Sequence, residues 1–501
     1  MPSIFPYLRY RYGLPVPPLS RIRSSELPEH KRFRTLLPAK QPAPAIGKSV
    51  TVVGGGFAGL TAATALRAMG FGVTVLEARA DVGGRVWSRT DICKGRVIEA
   101  GAELIGANHS TWLSLAIGFG LGLSVLTSED QFAAAKLEVP LKLKGRLLPE
   151  AEAEKLYGEM DTVLRLISKD AATIRDPYKP WLSPGAQDWD NTSVAWRLGQ
   201  FGVEPDSLLY ALLTANLNND QTLSIDQQSY LGLLALVRGG RIGDDDMAYW
   251  TQTEVYRCAA GNQSLAFVLR NVLDDLGGSV LTNTTVTAID VNALAGVKIT
   301  AGDNAYHSDY AVLAIPQPTW AGIIISPPIP SSYHIATGPA VKYLSPVISR
   351  FWLQPELAPT SVSDDLGMTW EGTDNQMVAG DQGFDLSVFA GGPWADAARN
   401  APDKQEYFTA RLTSMYPDYA NYAPPGFFID WPSEPTIGCG YSCPSLGQVT
   451  TAAPQLAQLY QGRLAFAGEH TVMAFFGYME GALESGLLAA DRIKKAAVDW
   501  P

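Results

Sequence analysis

The sequence predicts an α/β protein: a doubly wound, mostly parallel sheet in one domain, with a second domain of mixed α+β character. Three observations carry that expectation. A β-branched strand, a glycine turn, an alanine-rich helix and a second strand follow one another in KSVTVVGGGFAGLTAATALRAMGFGVTVLEAR, residues 48–79. A buried-looking strand, a glycine turn and a helix recur far downstream in FAGEHTVMAFFGYMEGALESG, residues 466–486. Between them lie helical-looking stretches such as EAEAEKLYGEMDTVLRLISK, followed by mixed strands and helices rich in proline and aromatic residues.

Length and composition bound the answer. At roughly 150 residues per domain, 501 residues allow three units or one long interleaved fold. A hydrophobic fraction of 46% with 18% charged residues is that of an ordinary folded protein. The net charge of −11 argues against nucleic acid as a partner and suits a cationic substrate. Four scattered cysteines make neither a disulfide scaffold nor a zinc site, and are expected as free thiols. The five histidines show no metal-binding spacing, so no metal is expected. The Pro- and Arg-rich start has no apolar run of the secretory kind, and residues 1–45 read as an arm. The longest uncharged stretch, Trp112 to Leu126, is glycine-broken and shorter than the ~20 residues that span a bilayer, so a soluble, cytoplasmic protein without a membrane partner is expected.

Each piece of the first unit has its physical reason. Val50 to Val53 form the strand, Gly54-x-Gly56-x-x-Gly59 the turn into the helix, Gly70 its stop, and Val73 to Glu77 the next strand. Gly54 permits a tight turn. Gly56, two residues before Ala58, lets a pyrophosphate approach the backbone, and Gly59 lets helix meet strand. The Glu77 carboxylate is placed to accept from ribose hydroxyls, which makes the unit Rossmann-like. Ala78 and Arg79 continue the cofactor segment, and in ARADVGGRVWS Gly83 and Gly84 allow close approach while Arg85 offers a fork of donors to phosphate.

At Gly83-Gly84-Arg85 the chain resembles the FAD-dependent amine oxidases, the family of monoamine, polyamine and L-amino acid oxidases. VIEAGAELIG resembles the family's segment beside the flavin, GSVLTNTTVTAID with Val286 its adenine-side strand, and GYMEGALESG its closing motif. The resemblance implies a two-domain flavoprotein with noncovalent FAD. Residues 46–130, 255–325 and 435–501 would form the FAD-binding domain, with 131–254 and 326–434 as an interleaved substrate-binding domain. It implies that Gly468 and Glu469 lie at the ribityl chain and that Met479 and Glu480 offer free helix N–H groups to the flavin edge. Gly477 and Gly481 would clear space for the ring. Family thiol attachment needs a cysteine directly before Tyr441, where this sequence has Gly440.

The same resemblance assigns the reacting face. Lys342 stands where many members hold a water near the flavin, and Tyr441 and Tyr478 match the aromatic pair that frames the substrate amine. Glu103, and the acid run with Asp246 and Trp250 behind it, are candidates for contacting a cationic substrate. The usual carboxylate-clamping arginine is missing from EAGAELIG, leaving Arg89, Arg238, Arg241, Arg257 and Arg350 as substitutes. The expected reaction is oxidative deamination with O2 as acceptor, releasing ammonia and H2O2, on a basic L-amino acid such as arginine or lysine. Alternatives are a monoamine or polyamine, a flavin desaturase, or a redox-inert FAD-binding protein, with a homodimer as an open possibility.

Overall fold

The structure is a computed structural model and describes residues 45–127, 132, 135–376, 383–422 and 425–499. The expected arm, residues 1–45, lies outside the described residues except for its last position. Five parallel strands form the first sheet in the order Leu464–Phe466, Tyr310–Leu313, Ser49–Val53, Gly72–Leu76, Ser279–Leu281. Val50, Val52 and Val53 are all buried, as is Thr51 between them, the burial of successive residues that a strand covered on both faces requires.

The helix Phe57–Ala68 crosses between the two central strands and packs on Met479–Asp499 and Gln263–Asp275. Its alanines permit close contact. A Cβ at Gly486 of the last helix would stand 2.4 Å from the Ala58 carbonyl oxygen, so the two backbones meet there. On one side of Ser49–Val53 lies the strand that follows it in sequence, on the other a strand made 260 residues later, and that reversal leaves a crevice at the carboxyl ends.

A second sheet of seven strands runs Phe427–Asp430, Ala340–Val347, Phe384–Gly391, Gly367–Glu371, Ser361–Ser363, Leu141–Leu143, Arg146–Leu147. Residues 131–254 therefore contribute more than helices. LKLKGRL forms a short hairpin that joins the other insert by pairing Leu141 with Val362, and it is too short to show a strand period in the sequence. Helices Glu150–Ala171, Leu208–Gln221 and Tyr230–Gly239 build a core that includes Val472 to Phe476 and Tyr478 from the closing segment. A four-stranded sheet around Val286–Asn292 flanks the crevice. Among the described residues no helix is long and apolar enough to cross a membrane, and no group of His, Cys, Asp or Glu is placed to hold a metal.

Candidate active site

A cavity of about 360 Å³ opens at the carboxyl ends of the parallel strands. Val53, Gly54, Gly56, Ala58, Glu77, Ala78, Arg79, Gly84, Arg85 and Val286 line one part, and Lys342, Trp370, Phe389, Tyr441 and Tyr478 line another.

The glycine turn separates fold from ligand. Gly54 has φ +105° and a Cβ there would meet the Ala314 carbonyl oxygen at 2.7 Å. A Cβ at Gly59 would lie 1.9 Å from the Gly54 carbonyl oxygen, so helix and turn exclude any side chain. Gly56 is different: its φ is −76°, and a Cβ there would find no atom nearer than the Gly84 Cα at 3.8 Å. Nothing in the protein requires glycine at 56. The free space lies where a dinucleotide needs it, in front of a helix start with no side-chain cap. Glu77 holds this turn by accepting from the Gly55 N–H at 2.6 Å and the Arg79 N–H at 2.8 Å.

Arg85 and Glu469 depart from expectation. The Arg85 Nη1 donates to Glu469 at 2.8 Å and to the Gly440 carbonyl oxygen at 2.9 Å, so part of the fork foreseen for phosphate is spent inside the protein. Glu469 also accepts from the Ser442 N–H at 3.1 Å, the Ser442 hydroxyl and the Gly477 N–H at 2.7 Å. A carboxylate surrounded by four donors has little acceptor capacity left for a ribityl hydroxyl. It is a staple joining three segments. Burial works to raise its pKa, but Arg85, His470 and the hydrogen bonds hold it below the usual range. Gly468 lines the cavity, as does His470, a buried imidazole pushed down to about 4 by desolvation.

The closing helix begins at the cavity, and its first side chains divide between the cavity and the interior. Tyr478 and Met479 line the cavity, and Gly477, with φ +79°, turns the chain towards it. The Glu480 carboxylate points elsewhere, accepting from the Thr111 N–H at 2.7 Å and the Trp112 N–H at 2.9 Å to cap helix Ser110–Phe119. Gly481 does not face the cavity. A Cβ there would lie 2.1 Å from the Phe475 carbonyl oxygen, so packing demands that glycine.

Both tyrosine rings are anchored from behind. The Tyr441 hydroxyl donates to the Asp220 carbonyl oxygen at 3.0 Å, and its ring stacks on Phe389 at 6.5 Å and 11°. The Tyr478 hydroxyl meets that of Tyr249 at 3.2 Å, and its ring abuts His109 at 5.4 Å. Desolvation raises both phenols well above 10, so they are neutral walls. Lys342 reaches this region from the strand Ala340–Val347 and donates to Glu103 at 2.7 Å and to the Glu99 carbonyl oxygen at 2.9 Å.

Three substrate-binding expectations are corrected. Glu103 lines the cavity, yet its oxygens already accept from Arg257 at 2.6 Å, Trp370 at 2.9 Å and Lys342, so its cations are internal. Asp246 is 56% exposed, pairs with Arg241 at 3.0 Å and is not among the lining residues. The acid run is a solvated loop. Trp250 is a core residue whose Nε1–H donates to the Ser168 hydroxyl at 2.9 Å. Sequence reasoning missed Phe389, Trp370, Tyr249 and His109, whose only signal is an aromatic ring among many.

The comparisons with known proteins fit this geometry. Residues 57–494 match the family described as flavin containing amine oxidoreductase. The chain belongs to that family. The amine oxidase B of Canis lupus familiaris is 25% identical over 473 residues, covering 89% of this chain and 86% of its own, and the amine oxidase A of Sus scrofa is 24% identical over 478 residues. Putrescine oxidase bound to putrescine superposes with a TM-score of 0.76 at 22% identity, covering 89% of this chain and 99% of its own. Cyclohexylamine oxidase from Brevibacterium oxydans IH-35A gives 0.76 at 21%, covering 90% and 99%.

The cofactor of the family is FAD, and the residues present fit it. The free space at Gly56 would admit a pyrophosphate, Glu77 and Val286 on the same part of the wall would stand by the adenosine, and the closing helix starts at the other part. The four cysteines are free and buried, and none is among the lining residues of the cavity. Gly440 and Tyr441 stand on the wall instead, which leaves no thiol for covalent attachment.

Proposed function

We propose that this flavin amine oxidoreductase oxidises a primary amine that carries no carboxylate, using O2 as acceptor. The observation that carries the reading is the charge pattern of the reacting end. Among the described residues, the only arginines lining the cavity are Arg79 and Arg85, both at the cofactor end. The best placed substitute clamp, Arg257, is held by Glu103, Asp374 and the Glu371 carbonyl oxygen. Arg350 is paired with Glu371, Arg89 with Asp91, and Arg241 with Asp244 and Asp246. A carboxylate entering here would give up its water and meet no arginine, and the Lys342 ammonium on the wall is already paired with Glu103. That disfavours the basic L-amino acid expected from the sequence.

When bound, FAD supplies the two-electron acceptor for the C–H bond next to nitrogen. The chain supplies placement. Tyr441 and Tyr478 confine the amine between two neutral faces, and Phe389, Trp370 and Leu104 exclude water and favour the uncharged nitrogen. Lys342 offers an N–H at the wall. The imine leaves to hydrolyse to a carbonyl compound and ammonia.

The test is the visible spectrum of the anaerobic holoenzyme titrated with a benzylic amine, cyclohexylamine, putrescine, L-arginine, L-lysine and L-leucine. Bleaching by amines alone is expected. Bleaching by an amino acid would overturn the substrate class, and an oxidised flavin throughout would overturn the activity.

A further inference from the structure

A buried ammonium on an otherwise apolar strand needs an explanation. Ala340, Val341, Tyr343, Leu344 and Val347 surround Lys342 in sequence, and all of them are buried. An isolated charge in such a place is costly enough that the group would sooner be neutral. The compensation comes from one residue. Glu103 gives Oε2 to the Lys342 ammonium and Oε1 to the Arg257 Nε–H and the Trp370 Nε1–H. Trp370 completes a triangle, because the Lys342 Nζ also lies 5.1 Å from its ring centroid. Of three N–H donors on the ammonium, Glu103 takes one and the Glu99 carbonyl another. One remains, on a side chain that lines the cavity.

We propose that Glu103 is a positioning residue: it holds the Lys342 ammonium in one place on the cavity wall, with a single N–H left for the reacting end. The proposal rests on the flavin amine oxidase reading above. Arg257 fixes the carboxylate and is itself fixed by Asp374, so the order runs inward from Asp374 through Arg257 and Glu103 to Lys342. The other ionisable groups around the pair are Glu99, whose carboxylate accepts from Ser88 and the Asn262 N–H, and Asp385, which accepts from Ser387. Neither makes a hydrogen bond to the ammonium through its side chain among the described contacts.

The experiment is a double-mutant cycle on the holoenzyme with Glu103→Gln, Lys342→Met and both together. Rates of anaerobic flavin reduction by an amine and of reoxidation by O2 are followed across roughly pH 6 to 10. Glu103→Gln is expected to move the alkaline limb of the profile to lower pH than in the wild type, as loss of an opposite charge within hydrogen-bond range implies. Lys342→Met should lack that limb, and the double variant should match Lys342→Met. Glu103→Asp, which keeps the charge, should keep the limb near its wild-type pH. A Glu103→Gln effect of undiminished size in the Lys342→Met background overturns the proposal, as does an unchanged pH profile with only a lowered melting temperature. Should Glu103→Gln not yield folded holoenzyme, a Glu103→Asp limb displaced from the wild-type pH overturns it. A wild-type flavin left oxidised by every amine would instead strike the activity itself.

Discussion

Four donors converge on Glu469, and its removal has consequences beyond one hydrogen bond. Glu469→Ala leaves the mostly buried Arg85 guanidinium without its carboxylate partner, which costs about 3 kcal/mol, and frees Ser442, the residue after Tyr441. A lowered melting temperature and loss of FAD on gel filtration are expected together; retention of both would show that the staple is dispensable. Tyr478→Phe should cost only ~1 kcal/mol of stability, because the ring stays while Tyr249 loses one hydroxyl partner. Tyr478→Ala removes the ring, and kcat/KM for the amine is expected to fall about tenfold, the equivalent of ~1.4 kcal/mol of aromatic contact. At this scale the sequence was legible for which residues line the cavity and less so for their partners. Glu103 stands out as a carboxylate beside the cofactor segment, but its cations lie 154 and 239 positions away and no local pattern announces them. Asp246 and Trp250 misled for the converse reason: a local cluster looked like chemistry, whereas the loop around Asp246 faces solvent and Trp250 fills a core.

The glycine turn gives a sharp pair of outcomes at the level of an element. Gly59→Ala places a Cβ 1.9 Å from a backbone oxygen, so the helix cannot seat on the strand, and little folded protein is expected in a soluble fraction. Gly56→Ala meets nothing within 3.4 Å, so the apoprotein should fold with a near-normal circular dichroism spectrum while FAD affinity drops. Equal loss of folding in both would deny Gly56 its ligand role. This strand, turn and helix could be read from sequence because all of their constraints are local. The LKLKGRL hairpin could not, since its register is imposed by a strand more than two hundred residues downstream. The role of the Glu480 side chain was hidden for the same reason: it serves helix Ser110–Phe119, a neighbour visible only in three dimensions.

Across the whole molecule, buried carboxyls set the pH dependence of stability. Glu99 and Asp385 are pushed up to about 7, each chiefly by burial, and Glu480 to about 8, by burial first and then by Glu484. Each binds a proton in the fold that the unfolded chain has already released, so its contribution is full below the ordinary value near 4 and is lost as pH rises through 7 to 8. Glu103 works the other way. Opposed by burial but drawn down to about 2 by Lys342 and Arg257, it contributes above its ordinary value near 4.5 and loses that contribution as pH falls towards 2. The melting temperature should therefore peak in mildly acidic solution and decline towards pH 8, with Glu480→Gln flattening the decline; a melting temperature that climbs from about pH 6 to 8 would contradict the assignment. The broad architecture was legible because the two cofactor segments carry their own glycine signatures, while the shared seven-stranded sheet was not, being assembled from both inserts. The cavity takes its walls from segments far apart in the chain. Its floor needs the turn at Gly54–Gly59 and the strand and helix start at Leu464–Met479, which a ribosome produces far apart in time. At roughly 5–20 residues per second, tens of seconds separate them, so a nascent chain exposes half a nucleotide site that cannot close.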